Sequence, residues 1–342
     1  MHSAANSTKI AIIAIIFVVV LSGCALQKKE KIPTEEELRR GTDALVMSFI
    51  ENTPPAKIFS AEDSFPESGL FQVGIRTENK GASDIVSGIL ALSLETGYVN
   101  DLNYKWKSTD EAFNDRYEGN SVTFSLDGKK PENPAGGREL FSKILQAKIP
   151  GSDKESQTRK STIIATACYD YKTRKTASVC IEPNPFAEKI GQRPCEVKDL
   201  TFDSQGAPLA LTKISPRMVL KGNAATVEFL IYIKNRGNGQ VIPSNKILAA
   251  CEAAGGGKDF WNTINEEDFR ISLSTEEGNF KCGPFPLRIS GKEEDYIRCV
   301  YEGIITGTQA YATTLNLEFD YGYTQSISKD IAIERPPQIT VQ

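Results

Sequence analysis

Two stretches of period-two alternation, each ending in the same kind of turn, constrain this chain more than any other feature. In FQVGIRTENKGASDI, Phe71, Val73, Ile75 and Thr77 alternate with their neighbours and stop at Asn79-Lys80-Gly81. In VEFLIYIKNRGNG, Val227, Phe229, Ile231 and Ile233 do the same and stop at Asn235-Arg236-Gly237. Such alternation places one apolar face on a β-strand, and the Asn and Gly that follow tolerate the positive φ of a tight turn. The two triplets lie 156 residues apart (235 − 79).

A second pair of segments recurs in the same order. Asp170-Tyr171 is followed by Ile181-Glu182-Pro183, and Asp320-Tyr321 by Ile333-Glu334 and Pro336. Both segments read as closing β-hairpins, the second longer by two residues. Features recurring 150 to 156 residues apart argue for tandem domains of one fold. From Leu45 onward, short apolar runs broken by Gly, Pro, Asn and Asp argue for β-sandwiches. The expected fold is therefore all-β, with two tandem immunoglobulin-like β-sandwiches over 44–190 and 191–342. Short helical insertions interrupt the second: Ser244 to Gly255, with Ser244 as N-cap, and a further turn within Asp259 to Phe269. Residues 138–149 (RELFSKILQAKI) fit strand and helix periods equally, and their context favours a strand.

The strand that closes in N-x-G resembles CARDB-type and related immunoglobulin-like modules of archaeal and bacterial surface proteins. The segments GTDALVMSFIENTPPAKIF and ATACYDYKT resemble predicted envelope lipoproteins of small-genome archaea. These resemblances imply a sandwich module working in the cell envelope. The insertions of the second half depart from a plain module.

The N-terminus points to the same place. An apolar run from Ile10 closes in Leu21-Ser22-Gly23-Cys24, which resembles the lipobox at which lipoprotein signal peptides are cut. Residues 1–23 are then a signal peptide and Cys24 is the lipidated residue. The alternative is an uncleaved anchor helix, since Ile10 to Leu26 gives seventeen largely apolar residues, the shortest length that spans a bilayer. Residues 24–43 read as a charged tether, with one short helix opened by a Thr34-x-x-Glu37 capping box. Either way the chain is expected to be exported and anchored by lipid or helix to the outer face of a membrane. The C-terminal ERPPQITVQ shows no second span or sorting signal, so the anchor is expected at the N-terminus alone.

Composition narrows the chemistry. The one histidine is His2, within the signal, which removes His-based triads, Cys–His dyads and His-ligated zinc or iron. Beyond the signal, 39 cations face 44 anions, a net of −5 (39 − 44), interspersed along the chain, so no nucleic-acid partner is expected. Six cysteines follow Cys24: Cys168, Cys180, Cys195, Cys251, Cys282 and Cys299. With no C-x-x-C among them, an exported chain reads as three disulfides. Cys168 and Cys180 lie six residues either side of Arg174, so a hairpin turning there would pair them. The other four allow three pairings, of which Cys195–Cys251 with Cys282–Cys299 is favoured.

Candidate sites are few. Trp106 near Tyr104, and Trp261 beside Phe260, could form a sugar-stacking platform, although packing aromatics are commoner. The acidic runs Glu266-Glu267-Asp268 and Glu293-Glu294-Asp295 lack the Gly turn of a calcium loop and read as solvated. Ser142-Lys143 could supply a Ser–Lys nucleophile but has no flanking signature. No metal, cofactor or catalytic residue is expected. The chain reads as an interaction protein of the envelope, adhesive, scaffolding or part of an assembly, whose partner is another envelope protein or polymer. A lipoprotein binding a ligand or glycan in an inter-domain cleft is the alternative, and a carboxylate or Ser–Lys hydrolase the third.

Overall fold

The structure, a computed structural model, describes residues 33–337 apart from 63–64, 66, 110–116, 154, 186–192, 222–223, 253–257, 275–278, 290, 292–293, 304 and 306. The lipobox, Cys24 and the apolar run before it lie outside the described residues. Thr34 to Gln342 forms one compact unit.

The unit is all-β, in three main sheets. The first half supplies α1 (Glu35–Leu38), β1 (Leu45–Phe49), β2 (Leu70–Asn79), β3 (Ile85–Ser93), β4 (Ser121–Leu126), β5 (Arg138–Ala147) and β6 (Thr158–Ile181). The second supplies β7 (Leu209–Lys221), β8 (Ala224–Asn235), β9 (Gln240–Ile242), α2 (Ile247–Glu252), β10 (Phe269–Leu273), β11 (Phe280–Gly283), β12 (Asp295–Tyr301) and β13 (Tyr311–Glu334). One outer sheet runs β1-β2-β5 and the other β7-β8-β12-β11. The central sheet runs β9-β13-β6-β3-β4. Both strands expected around the Asn-x-Gly triplets form, as β2 and β8, and 138–147 is a strand with its odd-numbered residues buried.

The two expected hairpins are not hairpins. Each is one uninterrupted strand of 24 residues, and the two pair with each other antiparallel from Thr158↔Glu334 to Ile181↔Tyr311. The reason is visible in the residues: Lys172 to Lys175, where the first turn was expected, contains no Gly, Asn or Pro to reverse the chain. Along both strands the odd-numbered side chains, among them Ile163, Ala165, Ala177, Leu315 and Phe319, join the core. Cys168 and Cys180 consequently sit twelve residues apart on one extended strand, roughly 40 Å at the rise of a β-strand. They do not pair. The disulfides are Cys168–Cys251, Cys180–Cys195 and Cys282–Cys299, so the expected Cys195–Cys251 bond is also absent. Cys168–Cys251 fastens α2 to the central sheet, while Cys282 and Cys299 face each other across the β11–β12 ladder.

Where the long strands cross their midpoint, Tyr169 pairs with Tyr323 and Tyr171 with Tyr321. The four rings close a cycle, with centroids 6.1 Å apart for 169–171, 6.3 Å for 171–321, 6.5 Å for 321–323 and 5.9 Å for 323–169. Every ring is at most 1% exposed. Buried hydroxyls need partners, and each one here holds a different chain segment. Leu45 N–H donates to Tyr169 Oη at 3.4 Å, and Leu209 N–H donates to Tyr321 Oη at the same distance. Ser83 N–H donates to Tyr171 Oη (3.2 Å), and Gly239 N–H to Tyr323 Oη (2.8 Å). The bonds recur in equivalent form, which makes Tyr169 the counterpart of Tyr321 and Tyr171 that of Tyr323. The spacing is then 152 residues (323 − 171), rather than the 150 given by aligning the Asp-Tyr pairs.

The Asn-x-Gly turns also recur as structures. Asn79 Oδ1 accepts Gly81 N–H, and Asn235 Oδ1 accepts Gly237 N–H, both at 3.1 Å. Asn79 Nδ2 donates to Ser83 O and Asn235 Nδ2 to Gly239 O, both at 2.8 Å. Neither glycine adopts the positive φ expected for it. Each is required by a close approach instead: a Cβ on Gly81 would lie 1.8 Å from Tyr171 Oη, and one on Gly237 2.3 Å from Tyr323 Oη.

Smaller corrections concern the helices. The capping box forms as expected, Thr34 N–H donating to Glu37 Oε2 (2.8 Å) and Glu37 N–H to Thr34 Oγ1 (3.3 Å). Of the segment expected as a tether, residues 34–43 are packed onto the unit: Leu38 is buried, and Gly206 N–H donates to Gly41 O. Ser244 is not a cap but the first residue of a 3₁₀ turn leading into α2, and its hydroxyl donates to Asp268.

Three outcomes follow from these contacts. Gly81→Ala should lower stability by about 2 kcal/mol or more through overpacking, whereas Gly97→Ala, with no atom within 4 Å of its added Cβ, should leave the melting temperature unchanged or raised. Burial holds all four phenols above their ordinary value, Tyr323 at about 12. An unfolded chain loses those protons near pH 10, so the folded state binds more protons above that pH and stability falls as pH rises further. Four of the eleven tyrosines should then ionise only together with unfolding, and tyrosinate absorbance amounting to all eleven on a folded chain would refute the buried cycle. Peptide mapping without reductant should join Cys168 to Cys251, and a Cys168–Cys180 peptide would overturn the continuous strand.

Candidate functional site

The side chains singled out in the sequence do not converge. Trp106 is 3% exposed and belongs to the main core. Trp261 stacks on Phe260 at 5.4 Å and packs in a separate cluster around Cys168, Ile242 and Ala250, beneath α2. No shared stacking platform results. Ser142 and Lys143 are neighbours on β5 and so face opposite sides of the sheet. Asp268, the last residue of one acidic run, is buried and accepts from Ser244 Oγ (2.6 Å) and Asn265 N–H (3.1 Å), so it staples a turn. Among the described residues no three Cys, Asp, Glu or His side chains converge as metal ligands, and no helix is long and apolar enough to cross a membrane.

The feature that sequence reasoning missed lies where the central sheet ends. β13 pairs with β6 along its whole length on one side, and on the other it is shared by three short strands: Lys57–Phe59, β9 and β10. Among the described residues β10 has no ladder on its far side, and neither does β11, the last strand of its sheet. Between these two edges opens a groove of about 720 Å³. Phe269, Phe280 and Phe285 supply its apolar wall, with the Phe269 ring also tilted against Phe319, centroids 4.7 Å apart. The Cys282–Cys299 disulfide stands at its margin and holds β11 in place.

Charge lines the opposite wall. On the outward face of the central sheet, Arg174 of β6 and Arg270 of β10 both reach Glu318 of β13, Arg174 Nε at 2.5 Å. Arg270 also contacts Asp320, and Lys172 Nζ lies 2.6 Å from Asp320 Oδ1. Burial pushes the Glu318 carboxyl up, but hydrogen bonds from Arg174 and Arg270 outweigh it and hold the group below the usual carboxylate range. Three cations against two anions leave this ladder with one positive charge in excess. Arg174 also borders a second depression, of about 950 Å³, between α1 and the segment Thr201 to Gln205.

Backbone edges of β10 and β11 that carry no ladder among the described residues, with aromatic rings and guanidinium groups beside them, suit an extended peptide that adds as a strand. The only signal of this site in the sequence was the alternation Lys172-x-Arg174 against Glu318-x-Asp320, and it becomes readable once the two strands are known to pair. Comparison with known protein families and with curated proteins finds no match for this chain.

Proposed function

We propose that this protein is a membrane-tethered, extracytoplasmic interaction protein, not an enzyme, built from two tandem immunoglobulin-like sandwiches joined through the long strand pair. The tether is lipid on Cys24, or else the uncleaved apolar segment before it. The partner is an extended segment of another envelope protein, received in the groove between β10 and β11. One observation carries the binding mode: two sheet edges, without a further ladder among the described residues, flank an aromatic and charged groove. Three disulfides favour an oxidising compartment, in keeping with export. A chain whose one histidine is His2 favours binding over proton-transfer catalysis.

Ile271 lines the groove on β10. A lysine there uses the device by which natural edge strands refuse a further strand. Ile271→Lys should retain the circular dichroism of the parent, with a lowered melting temperature because Ile271 packs half-buried against the core, but lose, on crosslinking in native membranes, the band that the parent gives. An identical crosslinking pattern for both would remove the groove from the function. Cys24→Ala should abolish lipid labelling and leave the precursor uncut, and a membrane form that retains Met1 would establish the anchor helix instead.

A further inference from the structure

Lys143 is the least expected side chain in the first half of the molecule. It stands on the inward face of β5 between Phe141 and Leu145 and is 1% exposed. The chain beside it pairs with β5 at Val99–Asn100 and again at Lys107–Ser108. Between these pairings, residues 101–106 arch over Lys143. Its Nζ lies 3.0 Å from Asp101 Oδ2, 2.7 Å from Gly119 O and 3.1 Å from Tyr104 O, and 5.6 Å from the centre of the Trp106 ring. The Asp101 side chain is 13% exposed, and its other oxygen accepts Asn103 N–H at 2.9 Å. Trp106 seals the site, its own Nε1 buried without a hydrogen-bond partner.

An ammonium and a carboxylate held together out of water form a costly pair, which a neutral arrangement of the same atoms relieves. They are also an amine and a carboxyl group fixed side by side, Nζ lying 3.0 Å from Oδ2, and holding two reacting groups in place in this way is what lowers the entropic part of a barrier. We infer that Lys143 and Asp101 are a modification site, joined by an intramolecular amide between Nζ and Cγ. One Nζ proton first crosses to Asp101 Oδ2, leaving a neutral amine and a neutral acid. The nitrogen lone pair then attacks Cγ, and a second Nζ proton reaches Oδ2. The Cγ–Oδ2 bond breaks, and that oxygen departs as water. Ammonium plus carboxylate thus becomes amide plus water, with no oxidant, cofactor or further reactant. The remaining N–H faces Gly119 O, the nearer of the two carbonyls.

The bond would close a covalent loop from residue 101 to residue 143 and fix the arch to the middle of β5. It would complement the disulfides, all of which lie beyond residue 167, in a stretch of the chain that has none. This inference stands apart from the groove and does not depend on a partner.

The test is a mass measurement on the full chain expressed with its export signal, purified, reduced and denatured. The parent should weigh one water less than its mature sequence requires. Digestion with a lysine-specific protease should leave the Lys143-Ile144 bond uncut, within a branched peptide that also carries Asp101. Asp101→Ala should restore the full mass and the cleavage, and it keeps Lys143 available to show that the missing water depends on its partner. A parent chain of full mass overturns the proposal and leaves a buried ion pair. A water deficit that persists in Asp101→Ala overturns it equally, because the dehydration then lies elsewhere.

Discussion

Four phenol rings, closed into a cycle where two 24-residue strands cross, hold this molecule to one ladder. Their rings supply buried area to the core, and their hydroxyls receive the backbone at Leu45, Ser83, Leu209 and Gly239. The starts of β1 and β7 and the turns after β2 and β8 are therefore placed by a single cluster. A phenylalanine at Tyr169 or Tyr321 would preserve most of the packing but leave a buried amide, at Leu45 or Leu209, unpartnered, a loss of about 1–3 kcal/mol. Tyr321 both donates and accepts. Thr173 Oγ1 spends its own proton on Leu209 O (2.7 Å), so Tyr321 donates to that hydroxyl while accepting from Leu209 N–H.

The length of the central ladder explains the rest of the architecture. Strands of 24 residues are longer than any of their neighbours, so β3 covers only part of β6, and three short strands share the far edge of β13. Edges remain where those neighbours stop. On the outward face the leftover surface is held by charge, with Arg174, Arg270 and Lys172 set against Glu318 and Asp320. Near the crossing the outward face is covered instead by α2, which the Cys168–Cys251 bond fastens in place. Closing that 83-residue separation stabilises by about 4.5 kcal/mol in the chain-entropy account.

Local patterns were legible wherever the physics is local. Period-two alternation identified β2 and β8 as strands, because burial of one face follows directly from side-chain direction, whereas 138–147 fitted both periods and was read as a strand from its context. The capping box at Thr34 was legible for the same reason, since both of its hydrogen bonds span three residues. The recurring Asn-x-Gly turns were recognised, but their glycines were assigned to the wrong cause. The demand for a missing Cβ comes from tyrosines 90 and 86 positions away (171 − 81 and 323 − 237). The continuous strands were misread as hairpins from their recurring Asp-Tyr and Ile-Glu pairs, and the pairing of Cys168 with Cys180 was drawn from a turn at Arg174 that the residues there do not favour.

The sequence by itself determined that the chain would fold into strands, where several of them lie, and that its two halves carry the same turn chemistry. It also determined the absence of histidine beyond residue 2, and with it the chemistries that depend on an imidazole. The tertiary structure alone decided which strands pair, which cysteines meet, and that Lys143 lies buried against Asp101. Alternation tells a side chain which face of its own strand it occupies and carries no information about the neighbour. The pairing of residue 158 with 334 rests on the whole apolar face of one long strand matching that of another, and a contact across 176 residues (334 − 158) has no local signature.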